Sequence, residues 1–188
     1  MTSIEELSSS LASDATQGEG VLPGFVKPLE RGQRLVARAR VAAVGVDDSG
    51  AIRALLDRGD RHDGEVLVVT GSWSSRTSLT GGITALALAQ LGFTGLVTDG
   101  LVRDSAEIRA SNLLVWCRGT SPIAPRHRID GPRATRIDFG RIGIADGDLV
   151  VADDDGVVVW PRADVATLLK AATAKEASDA ERLATISR

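Results

Sequence analysis

Short apolar runs alternate along the chain with polar stretches bounded by glycine, and the period of each run assigns an element. Ile4, Leu7 and Leu11 recur at helical spacing within residues 3–16, and Ser3 stands where an N-cap belongs, which predicts an amphipathic helix. Gly18, Gly20, Pro23 and Gly24 then open a loop. Residues 35–46 (LVARARVAAVGV) alternate apolar and polar positions in their first half, as a half-buried strand does. Asp48 is read as the cap of a helix that carries Ile52, Leu55 and Leu56 and stops at Gly59. Residues 66–70 (VLVVT) form a continuous apolar run that suits a buried parallel strand.

Residues 71–80 (GSWSSRTSLT) read as a polar loop. It leads through Gly81 and Gly82 into a helix carrying Ala85, Leu86, Ala87, Leu88 and Leu91, which Gly92 closes. Residues 95–99 (GLVTD) are a second apolar strand. Strand, helix and strand at this spacing predict a βαβ crossover with parallel strands. Ligands of such sheets sit beyond the carboxyl ends of the strands, which places the 71–82 loop and residues 99–104 on one rim. A helix over 104–110, a strand over 113–117 and a proline-containing loop over 121–133 follow. From residue 134 the pattern changes to short strands with glycine turns: ATRIDF, RIGI, DLVVA and VVVW. Asp155-Gly156 is the strongest hairpin signal, and residues 162–188 read as a final helix. No repeat or linker interrupts the pattern, so residues 1–188 are read as one α/β domain.

Composition narrows what such a domain can do. With 22 Lys+Arg against 25 Asp+Glu the formal net charge is −3, which argues against a nucleic-acid binder. Only three of the basic residues are lysines, Lys27, Lys170 and Lys175, so a Schiff-base nucleophile has almost no candidates. The single cysteine, Cys117, excludes an intramolecular disulfide. With two histidines besides, a clustered Cys/His zinc site is excluded as well, and any metal should be a hard ion held by oxygen. The N-terminus lacks a basic patch followed by an apolar stretch, and no apolar run is long enough to cross a bilayer. A soluble, cytoplasmic protein without a membrane partner is the expectation.

Two constellations fall on the expected rim. Asp99-Gly100-Leu101-Val102-Arg103-Asp104 puts a guanidinium beside a carboxylate at a strand end, where Arg103 could grip a substrate carboxylate and Asp104 offer oxygen to Mg²⁺ or Mn²⁺. Taken alone, the dipeptide is more simply a solvated ion pair in a turn. Gly81-Gly82-Ile83-Thr84 opens a helix, whose unpaired N–H groups bind anions and whose glycines allow close approach. Neither a G-x-G-x-x-G nor a Walker pattern occurs, which leaves a dinucleotide, SAM-like or nucleoside-triphosphate site unsupported.

The stretch GGITALALAQLGFTGLVTDGLVRDSAEIRASNLLVWCRGTSP resembles the signature of the RraA-like family, which includes the 4-hydroxy-4-methyl-2-oxoglutarate aldolases. Gly92, Gly95, Asp99, Gly100, Arg103, Asp104 and Glu107 occupy the motif positions. LASDAT near the N-terminus and GDLVVADDDGVVVWP near the C-terminus extend the likeness over nearly the whole chain. The resemblance implies a swivelling β/β/α-type fold with a C-terminal β-hairpin plus helix, assembled as a homotrimer or a hexamer of two trimers with sites between subunits. It further implies a divalent-metal pyruvate aldolase acting on a 4-hydroxy-2-oxo acid, with decarboxylation of oxaloacetate as a side activity. Carried over by position, Asp104 ligates Mg²⁺ (or Mn²⁺) and Arg103 binds the pyruvyl moiety. The backbone of Gly81, Gly82, Ile83 and Thr84 holds the substrate carboxylate, with Glu107, Glu176 or Asp179 as further acids around the metal water. Another branch of the family inhibits a ribonuclease, so a non-catalytic regulator is the alternative, as is a lyase or hydratase reusing the cradle for another 2-oxo acid.

One departure stands out: characterised aldolases of the family carry an acid where this chain has Gly82. Elsewhere His62 and His127 read as surface residues, Asp153-Asp154-Asp155 as turn chemistry, and Trp73 equally as a lid or a packing residue.

Overall fold

The computed structural model describes residues 2–127, 129 and 133–186. The strands are β1 (Lys27–Pro28), β2 (Leu35–Ala43), β3 (Glu65–Thr70), β4 (Ser78–Thr80), β5 (Gly95–Thr98), β6 (Leu101–Val102) and β7 (Leu114–Cys117), followed by β8 (Gly119–Thr120), β9 (Arg136–Phe139), β10 (Ile142–Ala145), β11 (Leu149–Ala152) and β12 (Val157–Trp160). The helices are α1 (Ser9–Ala15), α2 (Gly50–Arg58), α3 (Gly82–Gln90), α4 (Ser105–Ala110) and α5 (Val165–Ile186). Seven strands form one sheet in the order β1-β7-β5-β3-β2-β11-β12. Its centre, β2-β3-β5-β7, is parallel, and β1, β11 and β12 add antiparallel edges.

The period of two along each strand sorts the core. In β3, Val66 and Val68 face one layer and Leu67 and Val69 the other, all four at 0% exposure. The first layer packs under the β9–β10 hairpin through Ile137, Phe139 and Ile144. The second packs under α2, α3 and α4 through Ile52, Leu55, Ala85, Leu88 and Ile108. On β11 and β12, Leu149, Val151, Val158 and Trp160 face α1 and α5 instead. This mixed α/β architecture, with its C-terminal hairpin and helix, is the one the sequence implied.

Four details differ from the sequence reading. The 3–16 segment is a 3-10 turn over Ile4–Glu6 and a separate α1, because Leu7 is extended and Ser8, whose Oγ accepts from Leu11 N, caps the second piece. Ser49 is the N-cap of α2, while Asp48 accepts from the N–H groups of Gly50 and Ile129 just outside it. The final helix begins at Val165, and residues 187 and 188 lie outside the described residues, as do 128 and 130–132 of the expected loop. His62 is buried rather than solvated: it stacks on Phe93 with ring centroids 4.4 Å apart and its Nδ1 lies 2.8 Å from Glu65 Oε2.

Candidate functional site

What brings the two constellations together is a second, small parallel sheet inside the expected loop. Residues 78–80 form β4, which pairs with β6, and β6 pairs with β8. The Arg103 N–H then donates to Thr80 O at 3.0 Å, so the turn into α3 and the turn into α4 are fastened side by side. Strands of two or three residues carry no readable periodicity, which is why this sheet was invisible in the pattern.

Gly81 is the N-cap of α3 and supplies no side chain. A Cβ there would stand 2.5 Å from Asp104 Oδ2 and 3.0 Å from Arg103 Cγ and Nε, so the glycine is what admits both groups. Gly82 N–H donates weakly to Asp104 Oδ2 at 3.3 Å, and Arg103 Nε lies 3.4 Å from the same oxygen. The next two amides of α3, those of Ile83 and Thr84, have no intrahelical acceptor, and no side chain caps the helix. Arg103 and Asp104 are 39% and 42% exposed at the side chain, open to a ligand yet held by the turn. Asp104 adopts φ 54°, ψ 48°, a left-handed conformation that Asp tolerates better than most residues. This fixes the direction in which its carboxylate leaves the chain.

Glu107, in the first turn of α4, reaches the same place: its Cβ lies 2.5 Å from where a Cβ on Gly82 would be. Glu176 and Asp179 do not join this cluster within the chain. Glu176 accepts from Thr2 Oγ1 at 2.5 Å, and Asp179 pairs with Lys175, where α5 covers α1.

Asp99, which the sequence put on the rim, is buried and fully engaged. Its carboxylate accepts from Thr70 Oγ1 and Gly71 N, both at 2.9 Å, and from Ser72 N and Oγ. It ties the end of β3 to the end of β5. Trp73 is 65% exposed and lines a different cleft, with Phe25 and Phe139.

Mg²⁺ keeps several waters and asks the protein for only one or two carboxylates. Asp104, half-exposed beside Glu107, fits that demand. Among the described residues no group of three or more His, Cys, Asp or Glu side chains could cage an ion. The donor set therefore suits a hydrated hard cation shared with a ligand.

In this mixed α/β fold the N-terminus of α3, without a side-chain cap, lies against an Arg-Asp pair, an arrangement that could take an anion beside a hard oxygen donor. The RraA-like (Aldolase/RraA) family model matches residues 9–159, and the chain belongs to that family. It is 30% identical over 187 residues to a provisionally named 4-hydroxy-4-methyl-2-oxoglutarate aldolase of Halalkalibacterium halodurans, covering 100% of this chain and 88% of that one. Among solved structures, RraAS2 of Streptomyces coelicolor, described as an unusual member of the RNase ES inhibitor RraA family, superposes with a TM-score of 0.81 at 26% identity, over 98% of this chain and 96% of its own. An uncharacterised protein of Pseudomonas syringae pv. tomato gives a TM-score of 0.84 at 26% identity, over 97% and 85%. Among the described residues, no helix is long and apolar enough to cross a membrane.

Proposed function

We propose that this chain is a divalent-metal-dependent lyase that cleaves a 4-hydroxy-2-oxo acid by a retro-aldol step and releases pyruvate, with oxaloacetate decarboxylation as a side reaction of the same site. The observation that carries the reading is the convergence of Arg103, Asp104 and the α3 amides on the space Gly81 leaves open. The free N–H groups of Ile83 and Thr84 take the substrate's C1 carboxylate, aided by the helix dipole. The Arg103 guanidinium donates to the 2-oxo oxygen and gains strength as that oxygen becomes an enolate. Asp104 would hold Mg²⁺ (or Mn²⁺), with Glu107 as a further acid around the metal water. When bound, the ion supplies Lewis-acid stabilisation of the developing enolate charge. The three lysines support this route over an imine, since Lys27 donates to Asp155 O, Lys175 is paired with Asp14 and Asp179, and Lys170 is exposed on α5.

In this reading the protein works as a homotrimer or hexamer, and Glu176 or Asp179 of a neighbouring subunit completes the acid set. The exposed apolar side chains of Ile83 (90%) and Leu86 (50%), beside the site, suit such an interface. The same exposed face favours the second reading, a regulator that binds another protein.

A lactate-dehydrogenase-coupled assay tests the first reading. Pyruvate release from 4-hydroxy-4-methyl-2-oxoglutarate and from oxaloacetate should require Mg²⁺ and vanish with EDTA or in Asp104→Ala. Equal rates in all three conditions overturn the metal role. Absence of pyruvate together with a stoichiometric co-purifying protein favours the regulator.

A further inference from the structure

Aromatic side chains are scarce in this chain, three tryptophans and three phenylalanines among 188 residues, and Trp116, Trp160, Phe93 and Phe139 are buried. The two that stay exposed, Phe25 and Trp73, line one cleft of about 440 Å³ together with Phe139. It lies where the ends of β3 and β5 meet the β9–β10 hairpin, and it shares no lining residue with the cleft at Gly81 and Arg103. Among the described residues these three rings make no ring contact with one another, and no cation lies on them. Both ionisable residues that line the cleft are acids, Asp99 and Asp138. The Asp99 carboxylate is taken up by Thr70, Gly71 and Ser72. The side chain of Asp138 is exposed and has no hydrogen-bond or ion-pair partner among the described residues, for Arg136 turns over Gly143 without pairing with it.

We propose that this cleft is a second ligand site, one that takes a small organic ammonium ion with its charged head against Trp73 and Phe25 and with Asp138 as counter-ion. The face of an aromatic ring is electron-rich, so a cation placed over it is attracted, and tryptophan is the best partner of the three ring types. An anion gains nothing from such a wall, and a neutral apolar group gains its burial alone. An alkylated ammonium gains from the rings and from the carboxylate together, since its methyl groups meet the ring faces while its charge meets Asp138. A bare metal ion is excluded by the same chemistry, because a hard ion needs several oxygens and makes no use of the rings. The size of the cleft falls within the range of about 300–1,000 Å³ that small-molecule sites occupy. This inference does not rest on the reaction proposed at Arg103 and Asp104.

Fluorine NMR of the full chain labelled with fluorotryptophan tests this, with choline as the probe. Each tryptophan gives its own resonance, and Trp116 and Trp160 are buried with their indole N–H groups donated to Asp153 O and Ala12 O. Choline should move the resonance of Trp73 alone, assigned through Trp73→Phe. The neutral isostere of choline, in which a tert-butyl group replaces the trimethylammonium, should bind about fivefold or more weakly, the scale of one cation–π contact. The methyl signal of either probe reads binding in every variant. Trp73→Leu keeps apolar bulk but removes the π face and should erase the difference between the probes. Asp138→Asn should weaken choline and leave the isostere unchanged. Both variants should keep the parental Tm, since both side chains are exposed. Equal binding of the two probes by the unmodified chain, or a choline preference that survives both substitutions, overturns the proposal. A Trp73 resonance that moves with protein concentration and not with choline also overturns it, for a second copy of the chain then covers the cleft.

Discussion

Gly82 and Glu107 compete for one volume. A Cβ on Gly82 would lie 2.5 Å from the Glu107 Cβ and 3.3 Å from its Cγ, so the position at which characterised aldolases carry an acid is filled here from α4. Gly82→Asp should therefore destabilise the fold by about 1–3 kcal/mol, the usual cost of overpacking. Glu107→Ala keeps the offending Cβ and should not relieve that loss, whereas Glu107→Gly should relieve part of it. Chemical denaturation of the four-member mutant cycle measures the coupling.

Asp104 combines a left-handed backbone with a half-exposed carboxylate, proposed above to hold the metal, and the two features separate by substitution. Asn tolerates the same φ and ψ, so Asp104→Asn should fold within about 1 kcal/mol of the parent while losing charge at the metal position. Pyruvate release should fall about 100-fold or more, the scale on which removing one transition-state contact acts. A valine at the same position should add backbone strain of about 1–2 kcal/mol, read as a lower Tm.

Asp99 should behave in the opposite way. Asp99→Ala leaves the Ser72 hydroxyl and the N–H groups of Gly71 and Ser72 without their acceptor, and leaves Thr70 Oγ1 only the longer bond to Asp138 O at 3.3 Å. The expected loss is about 3 kcal/mol of stability. Folded protein below its lowered Tm should retain Mg²⁺-dependent turnover. A selective loss of kcat with unchanged Tm would contradict a structural role.

Asp153 ties stability to acid pH. Burial by itself raises its carboxyl, but hydrogen bonds from Ser9 Oγ (2.5 Å) and Ser9 N (2.7 Å), and then from Asp155 N, outweigh burial and hold it below its ordinary value of 3.8. A carboxyl depressed in the folded state stabilises fully above its unfolded pKa, and the contribution disappears as pH falls through the lower folded value. Asp153→Asn should thus lower stability near neutrality and flatten its decline between about pH 5 and pH 2, measured by denaturation across that range.

The legible parts of this molecule were those with a long enough period. The run 66–70, the α3 helix and the Arg103-Asp104 strand end were each visible because apolar spacing and glycine punctuation extend over a turn or more. The break at Leu7 was not, since Ile4, Leu7 and Leu11 keep helical spacing across it and only the serine cap betrays it. The roles of Asp99 and His62 were illegible for another reason. A carboxylate or imidazole reads the same whether solvated or satisfied inside the fold.

The sequence by itself determined the family, the parallel crossover, the scarcity of lysine and the Arg103-Asp104 pair, because these depend on residue type and near-neighbour order. Tertiary structure alone decided that β4 lies against β6, and through it that Gly81 opens onto Asp104, that Glu107 fills the space above Gly82, and that Arg53 of α2 faces the same cleft as Arg103. Those relations join residues far apart along the chain across strands two or three residues long. Such pairings are held by packing and by single backbone hydrogen bonds, which leave no periodic trace in the order of amino acids.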